Sequence, residues 1–109
     1  MAQNSKGSRR EREFLEHLSS KGFLVHRVAG SGVGDTAICD LIAVRSGITH
    51  LIEVKSRKKT FYSREHLEQL NQLKKAAESC GAKALLAVKL NYKEWKVFDL
   101  SEGIPEKVS

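Results

Sequence analysis

Two apolar segments around a two-residue turn constrain the fold of this 109-residue chain more than any other feature. The first segment is Ile38-Cys39-Asp40-Leu41-Ile42-Ala43-Val44, the turn is Ser46-Gly47, and the second segment contains Leu51-Ile52-Glu53-Val54-Lys55. Apolar segments joined by so short a turn are typical of an antiparallel hairpin. The pattern predicts strands at about 38–44 and 48–56, which would bring Asp40 and Glu53 side by side.

Three charged side chains fall inside this predicted hairpin. Asp40 interrupts an apolar run, whereas Glu53 and Lys55 are two residues apart and therefore share one face of their strand. Burying an unpaired carboxylate is strongly unfavourable, so either Lys55 or a metal ion must balance Asp40. The alternative is that Glu53 and Lys55 form an ordinary surface ion pair and Asp40 only caps its strand.

The composition favours a polyanionic partner. Nineteen Lys and Arg residues against thirteen Asp and Glu residues give a net charge of +6, and nucleic acid is the first candidate partner. An anionic membrane surface is the alternative, but the sequence shows no apolar stretch of membrane-spanning length, lipidation motif or signal-peptide pattern. We therefore expect a cytoplasmic protein without a membrane partner, folded as a single domain over residues 1–109.

The cysteines and histidines suggest no site of their own. Cys39 and Cys80 are too few and too far apart for a disulfide framework or a zinc site, and we predict that both are buried apolar residues. The four histidines show no catalytic or ligand spacing.

Periodicity predicts an α/β fold, with a mixed central β-sheet flanked by helices in the order αβββαββ. The predicted helices span 8–21, with Gly22 as the stop residue, and 63–80, with Gly81 as the stop residue. The predicted strands span 23–28, 38–44, 48–56, 84–88 and 94–99. Residues 1–5 and about 102–109 are expected to be flexible. The predicted buried stripes are Phe14, Leu15 and Leu18 on the first helix, and Leu67, Leu70, Leu73 and Ala77 on the second.

Helical spacing adds a third acid to the predicted site. Glu11 falls on the apolar stripe of the first helix, so it should face the core or a cleft rather than open solvent. Together with Asp40 and Glu53 it forms an oxygen donor set that suits magnesium or manganese, and Lys55 could orient or help to deprotonate an attacking water. This combination favours metal-dependent phosphodiester hydrolysis. Alternatively, Ser8 and Glu11 match a capping box, and both roles could coexist.

Several basic and polar residues are candidate DNA contacts. Each has a structural alternative. The arginines of the first helix could merely solvate that helix, Arg27 could form an ion pair, and the basic run could be a solvated turn. The Gly30–Asp35 segment, which we expect to be mobile, could be an ordinary loop. Phe61 and Tyr62 could stack on DNA or form a hydrophobic staple. The candidate DNA contacts are Arg9, Arg10, Arg12, Arg27, Gly30, Ser31, Arg57, Lys58, Lys59 and Tyr62.

With these residues assembled, nearly the whole chain resembles the archaeal Holliday-junction resolvases of the PD-(D/E)xK nuclease superfamily, which have restriction-endonuclease-like folds. The motifs that carry the resemblance are Glu11-Arg12-Glu13-Phe14-Leu15, Arg27-Val28-Ala29-Gly30-Ser31, Asp40-Leu41-Ile42-Ala43, Ile52-Glu53-Val54-Lys55, Leu86-Ala87-Val88-Lys89 and Trp95-Lys96-Val97-Phe98. The Pro-Asp of the superfamily is Cys39-Asp40 here, at a position where proline is not chemically required.

The resemblance implies a homodimer that binds four-way DNA junctions by shape and cuts two opposed strands with Mg2+, or with Mn2+ in its place, during DNA recombination and repair at the nucleoid. No small-molecule substrate is expected. By the same resemblance the metal-binding acids are Glu11, Asp40 and Glu53, the catalytic lysine is Lys55, and the residues that match positions for DNA handling or catalysis are Arg12, Arg27 and Ser31. The alternatives are another nuclease of the superfamily, acting on flaps or in repair, and a non-catalytic module that binds structured DNA.

Overall fold

A computed structural model of the protein describes residues 5–28 and 37–109. Its central sheet has five strands in the order β1-β2-β3-β5-β6, in which β3 and β5 are parallel and the other neighbouring pairs are antiparallel. A second sheet pairs β4 with β7. The helices are α1 (Ser5–Ser19) and α2 (Leu67–Cys80), and the strands are β1 (Leu24–Arg27), β2 (Leu41–Arg45), β3 (Ile48–Arg57), β4 (Phe61–Tyr62), β5 (Lys83–Leu90), β6 (Lys96–Asp99) and β7 (Lys107–Val108).

The predicted mixed sheet flanked by helices is confirmed. Alternation along the strands sends side chains to two cores, one on each face of the sheet. The core beneath α1 contains Phe14, Leu18, Leu41, Ala43, Ile52, Val54 and Ala87. The core beneath α2 contains Leu70, Leu73, Ala77, Leu86 and Val88, together with Phe61 and Val108 from the small sheet. No helix in the described ranges is both long and apolar enough to cross a membrane.

The first helix differs from its prediction at both ends. It begins at Ser5 rather than Ser8, so Ser8 lies inside the helix and the capping-box alternative is wrong. It ends at Ser19 because Gly22, at φ +91°, turns the chain and lets the Phe23 N–H donate to the Leu18 carbonyl at 3.1 Å. Residues 1–4, which were predicted to be flexible, lie outside the described residues, and Ser5 is helical.

Three strand predictions need smaller adjustments. Residues 38–40 precede β2 rather than belonging to it, although the Asp40 N–H donates to the Ile52 carbonyl at 2.9 Å. The strand predicted at 94–99 begins at Lys96, and the strand predicted at 84–88 extends over the whole of β5. Ends of elements are set by individual hydrogen bonds, which hydrophobic periodicity does not report.

The second helix is confirmed with two corrections. Its first predicted turn, Ser63–His66, is a 3-10 helix, and Leu67 is 44% exposed rather than buried. The stop at Gly81 is confirmed, because this residue is left-handed at φ +75°. Cys39 is buried as predicted, but Cys80, at the end of α2, is exposed.

The prediction of a flexible segment at about 102–109 is wrong. Leu100–Glu102 form a 3-10 turn, and β7 then pairs with β4 through Phe61 and Val108. Val108 is 3% exposed and belongs to the core beneath α2. A partner more than 40 residues earlier in the chain orders this segment, so its local sequence carries no sign of the pairing.

Candidate active site

The β2–β3 hairpin places two of the predicted acids together. Its turn residues both have positive φ, 55° at Ser46 and 77° at Gly47, as the tight turns of hairpins require. Leu41 pairs with Ile52, so Asp40 and Glu53 continue the ladder as neighbours. The backbone N–H of Val54 donates to Asp40 Oδ2 at 2.9 Å and fixes that carboxylate against β3.

Glu53 is the most deeply buried acid of the site. Its side chain is 5% exposed and lies 3.3 Å, Oε2 to Nζ, from the Lys55 ammonium, which confirms that the two residues share a strand face. Burial, and then the charge of Asp40, raise the pKa of Glu53 to about 8, although Lys55 acts in the opposite direction. The lysine therefore balances only part of the cost of a carboxylate at this position.

Glu11 approaches from α1 and is held by Arg27 of β1. The Arg27 Nε–H donates to Glu11 Oε1 at 3.0 Å, and Arg27 Nη2 donates to Ser8 Oγ at 3.3 Å. The Glu11 side chain is 15% exposed, as expected for a residue facing a cleft. Burial and Asp40 raise the pKa of Glu11, and Arg27 opposes this rise.

Asp40 connects the other two acids electrostatically, because its charge raises the pKa of both Glu11 and Glu53. Within the described residues, no three His, Cys, Asp or Glu side chains are arranged as a ready metal site. Glu11 and Glu53 each bind a protein cation instead, through Arg27 and Lys55. The three carboxylates nevertheless match the oxygen donors that Mg2+ prefers, and Lys55 compensates the buried charge of Glu53 only in part.

The predicted basic run follows the active-site strand directly. Arg57 is the last residue of β3 and is half-buried, whereas Lys58 and Lys59 are exposed. Tyr62 is 46% exposed, and the Arg64 guanidinium carbon lies 5.8 Å from the centre of its ring. Phe61 is fully buried, which excludes it from stacking on DNA.

The arginines of α1 have different environments. Arg9 and Arg12 are exposed. Arg10 is largely buried and donates from Nη1 to Glu13 Oε1 at 2.8 Å. Contact of these three residues with DNA stays a prediction.

Two predicted DNA contacts cannot be placed. Gly30 and Ser31, with the Gly30–Asp35 segment predicted to be mobile, lie outside the described residues.

Among the described residues, His66 is the main feature that the sequence pattern missed: its Nε2 lies 3.1 Å from Arg57 Nη2. No spacing signal marks this histidine, because the turn through β4 creates the contact.

Comparison with known proteins decides the family. A family model for the archaeal Holliday junction resolvases (Hjc) matches residues 2–106. This chain belongs to that family. Family membership accords with the resemblance in the sequence motifs and with the acid-and-lysine arrangement at the hairpin.

Relatives within the Hjc family extend this result. The crossover junction endodeoxyribonuclease Hjc of Archaeoglobus fulgidus is 43% identical over 97 residues, covering 86% of this chain and 68% of the relative. That of Methanocaldococcus jannaschii is 42% identical over 88 residues, covering 79% and 60%. A crossover junction endodeoxyribonuclease of Sulfolobus islandicus rod-shaped virus 1 is 32% identical over 102 residues, covering 89% and 83%. The matches thus span 60–68% of the lengths of the two cellular relatives.

The fold agrees with a solved structure of the Hjc family. The structure of Archaeoglobus fulgidus Hjc, described as a Holliday junction resolvase from an archaeal hyperthermophile, superimposes with a TM-score of 0.70 at 40% identity. The superposition covers 85% of this chain and 75% of that one. The sheet and helices that carry the candidate site therefore have the family architecture.

Proposed function

We propose that this protein is a structure-selective endonuclease that cuts four-way DNA junctions by metal-dependent hydrolysis of phosphodiester bonds. The observation that carries the proposal is the position of Asp40 next to Glu53 and Lys55, in a chain of the Holliday junction resolvase family. Acids coupled in this way, next to a lysine and a basic strand end, suit a phosphodiester substrate.

The residues that would hold Mg2+, or Mn2+ in its place, are Glu11, Asp40 and Glu53. A bound divalent cation supplies Lewis acidity toward the phosphate and lowers the pKa of a water molecule. Glu11 and Glu53 would have to release their ion pairs with Arg27 and Lys55 to hold the cation. Glu53, whose pKa burial raises to about 8, would hold it in the ionised form.

The protein groups position the substrate around the acids. Lys55 extends from the same strand face as Glu53, with its ammonium available to orient an attacking water or a phosphate oxygen. The DNA backbone is contacted by two groups of residues. The basic group comprises Arg27, the arginines of α1 and the basic residues after β3, and the other group comprises Gly30, Ser31 and Tyr62. Such contacts position a duplex without reading its sequence, which suits recognition of a junction by shape.

Resolution of a junction requires two cuts placed symmetrically across the branch point, and one chain supplies one site. We therefore propose a two-fold homodimer, the commonest symmetric assembly. The resulting activity belongs to DNA recombination and repair at the nucleoid.

The test is cleavage of a labelled four-way junction by wild type and by the Glu53→Gln variant, with Mg2+, with Mn2+ and without metal. Wild type should produce paired nicks only with a metal, whereas Glu53→Gln should bind the junction and fail to cut it. The matched control is Glu78→Gln, at an exposed acid on α2, which should cut like wild type. Cleavage by Glu53→Gln would disprove the assigned chemistry.

The same preparations separate the alternatives. Preferential cutting of a flap or of linear duplex would identify another nuclease of the superfamily. Junction binding by wild type without cutting at any concentration of either metal would identify a binding module. Analytical ultracentrifugation of the free protein tests the proposed dimer. A monomer would contradict it.

A further inference from the structure

We propose that Phe61 and His66 hold the Arg57 guanidinium in place for a DNA phosphate beside the active site, so that His66 is a positioning residue for the substrate. The three residues are called the Arg57 cluster below. This inference rests on the proposed function and adds a residue to it, because the sequence pattern assigned no role to any histidine.

Three contacts restrain the Arg57 side chain. Its Nη1 donates to the Ser56 carbonyl at 2.7 Å, and its Nη2 lies 3.1 Å from His66 Nε2. The guanidinium carbon is 5.4 Å from the centre of the Phe61 ring, within the range of a cation–π contact. A long side chain that is ordered before binding loses less conformational entropy when it binds a ligand.

The other two members of the Arg57 cluster are themselves fixed. The rings of His66 and Phe61 stack with their centres 5.3 Å apart and their planes 18° from parallel. Phe61 is fully buried, and its strand β4 pairs with β7. The histidine therefore rests on a rigid support, and its Nε2 is directed at Arg57.

The contact with Arg57 determines the state of His66. Because an arginine can only donate, Nε2 must accept, which requires a neutral imidazole with its proton on Nδ1. Burial, followed by the charges of Lys55 and Arg57, lowers the pKa of His66, and the nearby Glu65 acts in the opposite direction. The neutral form that holds Arg57 is therefore the stable one at neutral pH.

The Arg57 cluster adjoins the catalytic residues. Lys55 and Arg57 are two residues apart on β3 and extend from the same face, and the charge of Lys55 acts directly on His66. A guanidinium has five N–H donors in a planar fork. The hydrogen bonds of Arg57 to the Ser56 carbonyl and to His66 use two of them, which leaves donors for the two free oxygens of a phosphodiester. The exposed Lys58 and Lys59 add positive charge nearby, whereas the restrained Arg57 holds its N–H donors in a fixed orientation.

The test is a double-mutant cycle on junction binding, measured without divalent metal for wild type, His66→Ala, Arg57→Gln and the double variant. His66→Ala should weaken binding about three- to tenfold, which lies in the lower part of the range expected for the coupling of residues in direct contact. Arg57→Gln should weaken binding at least as much, and the double variant should bind no more weakly than Arg57→Gln. Equal losses from His66→Ala in both backgrounds would overturn the proposal.

Two further variants separate positioning from simple packing. His66→Gln retains an acceptor that can reach Arg57 and should bind within about twofold of wild type, less than the effect of losing one hydrogen bond to a charged group. His26→Ala, at an exposed histidine of β1, is the matched control and should bind like wild type. Equally weak binding by His66→Gln and His66→Ala would contradict the assigned contact.

A spectroscopic measurement reports on the contact even if His66→Ala is poorly folded. Arg57→Gln should raise the pKa of His66, measured by NMR titration of its ring, because it removes one of the positive charges that lower this pKa. An unchanged pKa would overturn the contact. If wild type binds and cuts junctions but His66→Ala does both equally well, only the positioning role fails; if wild type does neither, the proposed function fails first.

Discussion

Among single residues, Glu53 has the environment with the clearest consequences for stability. Burial and then the charge of Asp40 together raise its pKa to about 8, so ionising Glu53 opposes the folded state when no divalent cation is bound. An ionised carboxyl at this position therefore lowers the stability of the metal-free protein. Because the ionised form is the one that would bind the proposed cation, Glu53 would connect pH, stability and metal binding.

The first prediction concerns the pH dependence of stability without metal. The folded-state pKa of Glu53 lies above its ordinary value of 4.5, so its contribution to stability is fully present below about pH 4.5 and is lost as the pH rises to about 8. Relative to Glu53→Gln, wild type should therefore lose stability across this window, by on the order of 1–4 kcal/mol. Urea unfolding of both proteins at a series of pH values in EDTA measures the difference.

If the free energies of unfolding of wild type and Glu53→Gln run parallel from pH 4.5 to 8, the carboxyl at position 53 is not buried as the structure shows. A matched Glu78→Gln variant, at an exposed position, should run parallel to wild type and controls for the loss of one negative charge.

At the scale of elements, the small β4–β7 sheet connects the last described residues to the active site. Val108 pairs with Phe61, and the Ser63 N–H donates to the Glu106 carbonyl at 3.1 Å. Phe61 in turn supports Arg57 and His66. The segment at 102–109, for which the sequence predicts flexibility, thus supports a basic side chain beside the candidate active site.

The second prediction tests this ordering. Val108→Ala removes two methyl groups from a residue that is 3% exposed and should lower the free energy of unfolding by about 1–2 kcal/mol, as loss of buried methyl groups does. Lys107→Ala, at the exposed neighbouring position of the same strand, is the matched control and should change it by less than about 0.5 kcal/mol. Chemical denaturation gives both values, and equal effects would show that the segment is not packed.

For the whole molecule, the net positive charge bears on the proposed encounter with DNA. The chain carries a net charge of +6, and its basic run directly follows the active-site strand. Binding through phosphates releases counterions, so affinity falls as salt rises. Dimerisation would double the charge presented to a four-way junction.

The third prediction assigns part of this salt dependence to the exposed basic run. Replacing both Lys58 and Lys59 with Gln should reduce the slope of log K against log[salt] by about 1–2 and weaken binding to all junction sequences alike. Lys21→Gln, an exposed lysine just after α1, is the single-charge control and should leave the slope nearly unchanged. Fluorescence anisotropy with a labelled junction at several salt concentrations measures the slopes. Unequal losses among junction sequences would instead indicate base contacts.

Elements with a local signal can be predicted from the amino-acid sequence alone. The alternation around Ser46-Gly47 predicts the hairpin that brings Asp40 and Glu53 side by side, and helical spacing predicts that Glu11 faces inward. These predictions are confirmed because strand and helix periods act over a few residues and survive packing. The metal, the junction and the dimer stay proposals, supported by family membership.

The contact partners of these residues depend on how distant segments pack in the folded protein. The structure pairs Arg27 with Glu11, buries Val108 against Phe61 and places His66 under Arg57. Each contact joins segments that the chain brings together only after the sheet has formed, so no local pattern encodes it. Burial then raises the pKa of Glu53 beyond what the Glu53-Val54-Lys55 motif indicates, since the cost of a charge depends on everything that surrounds it.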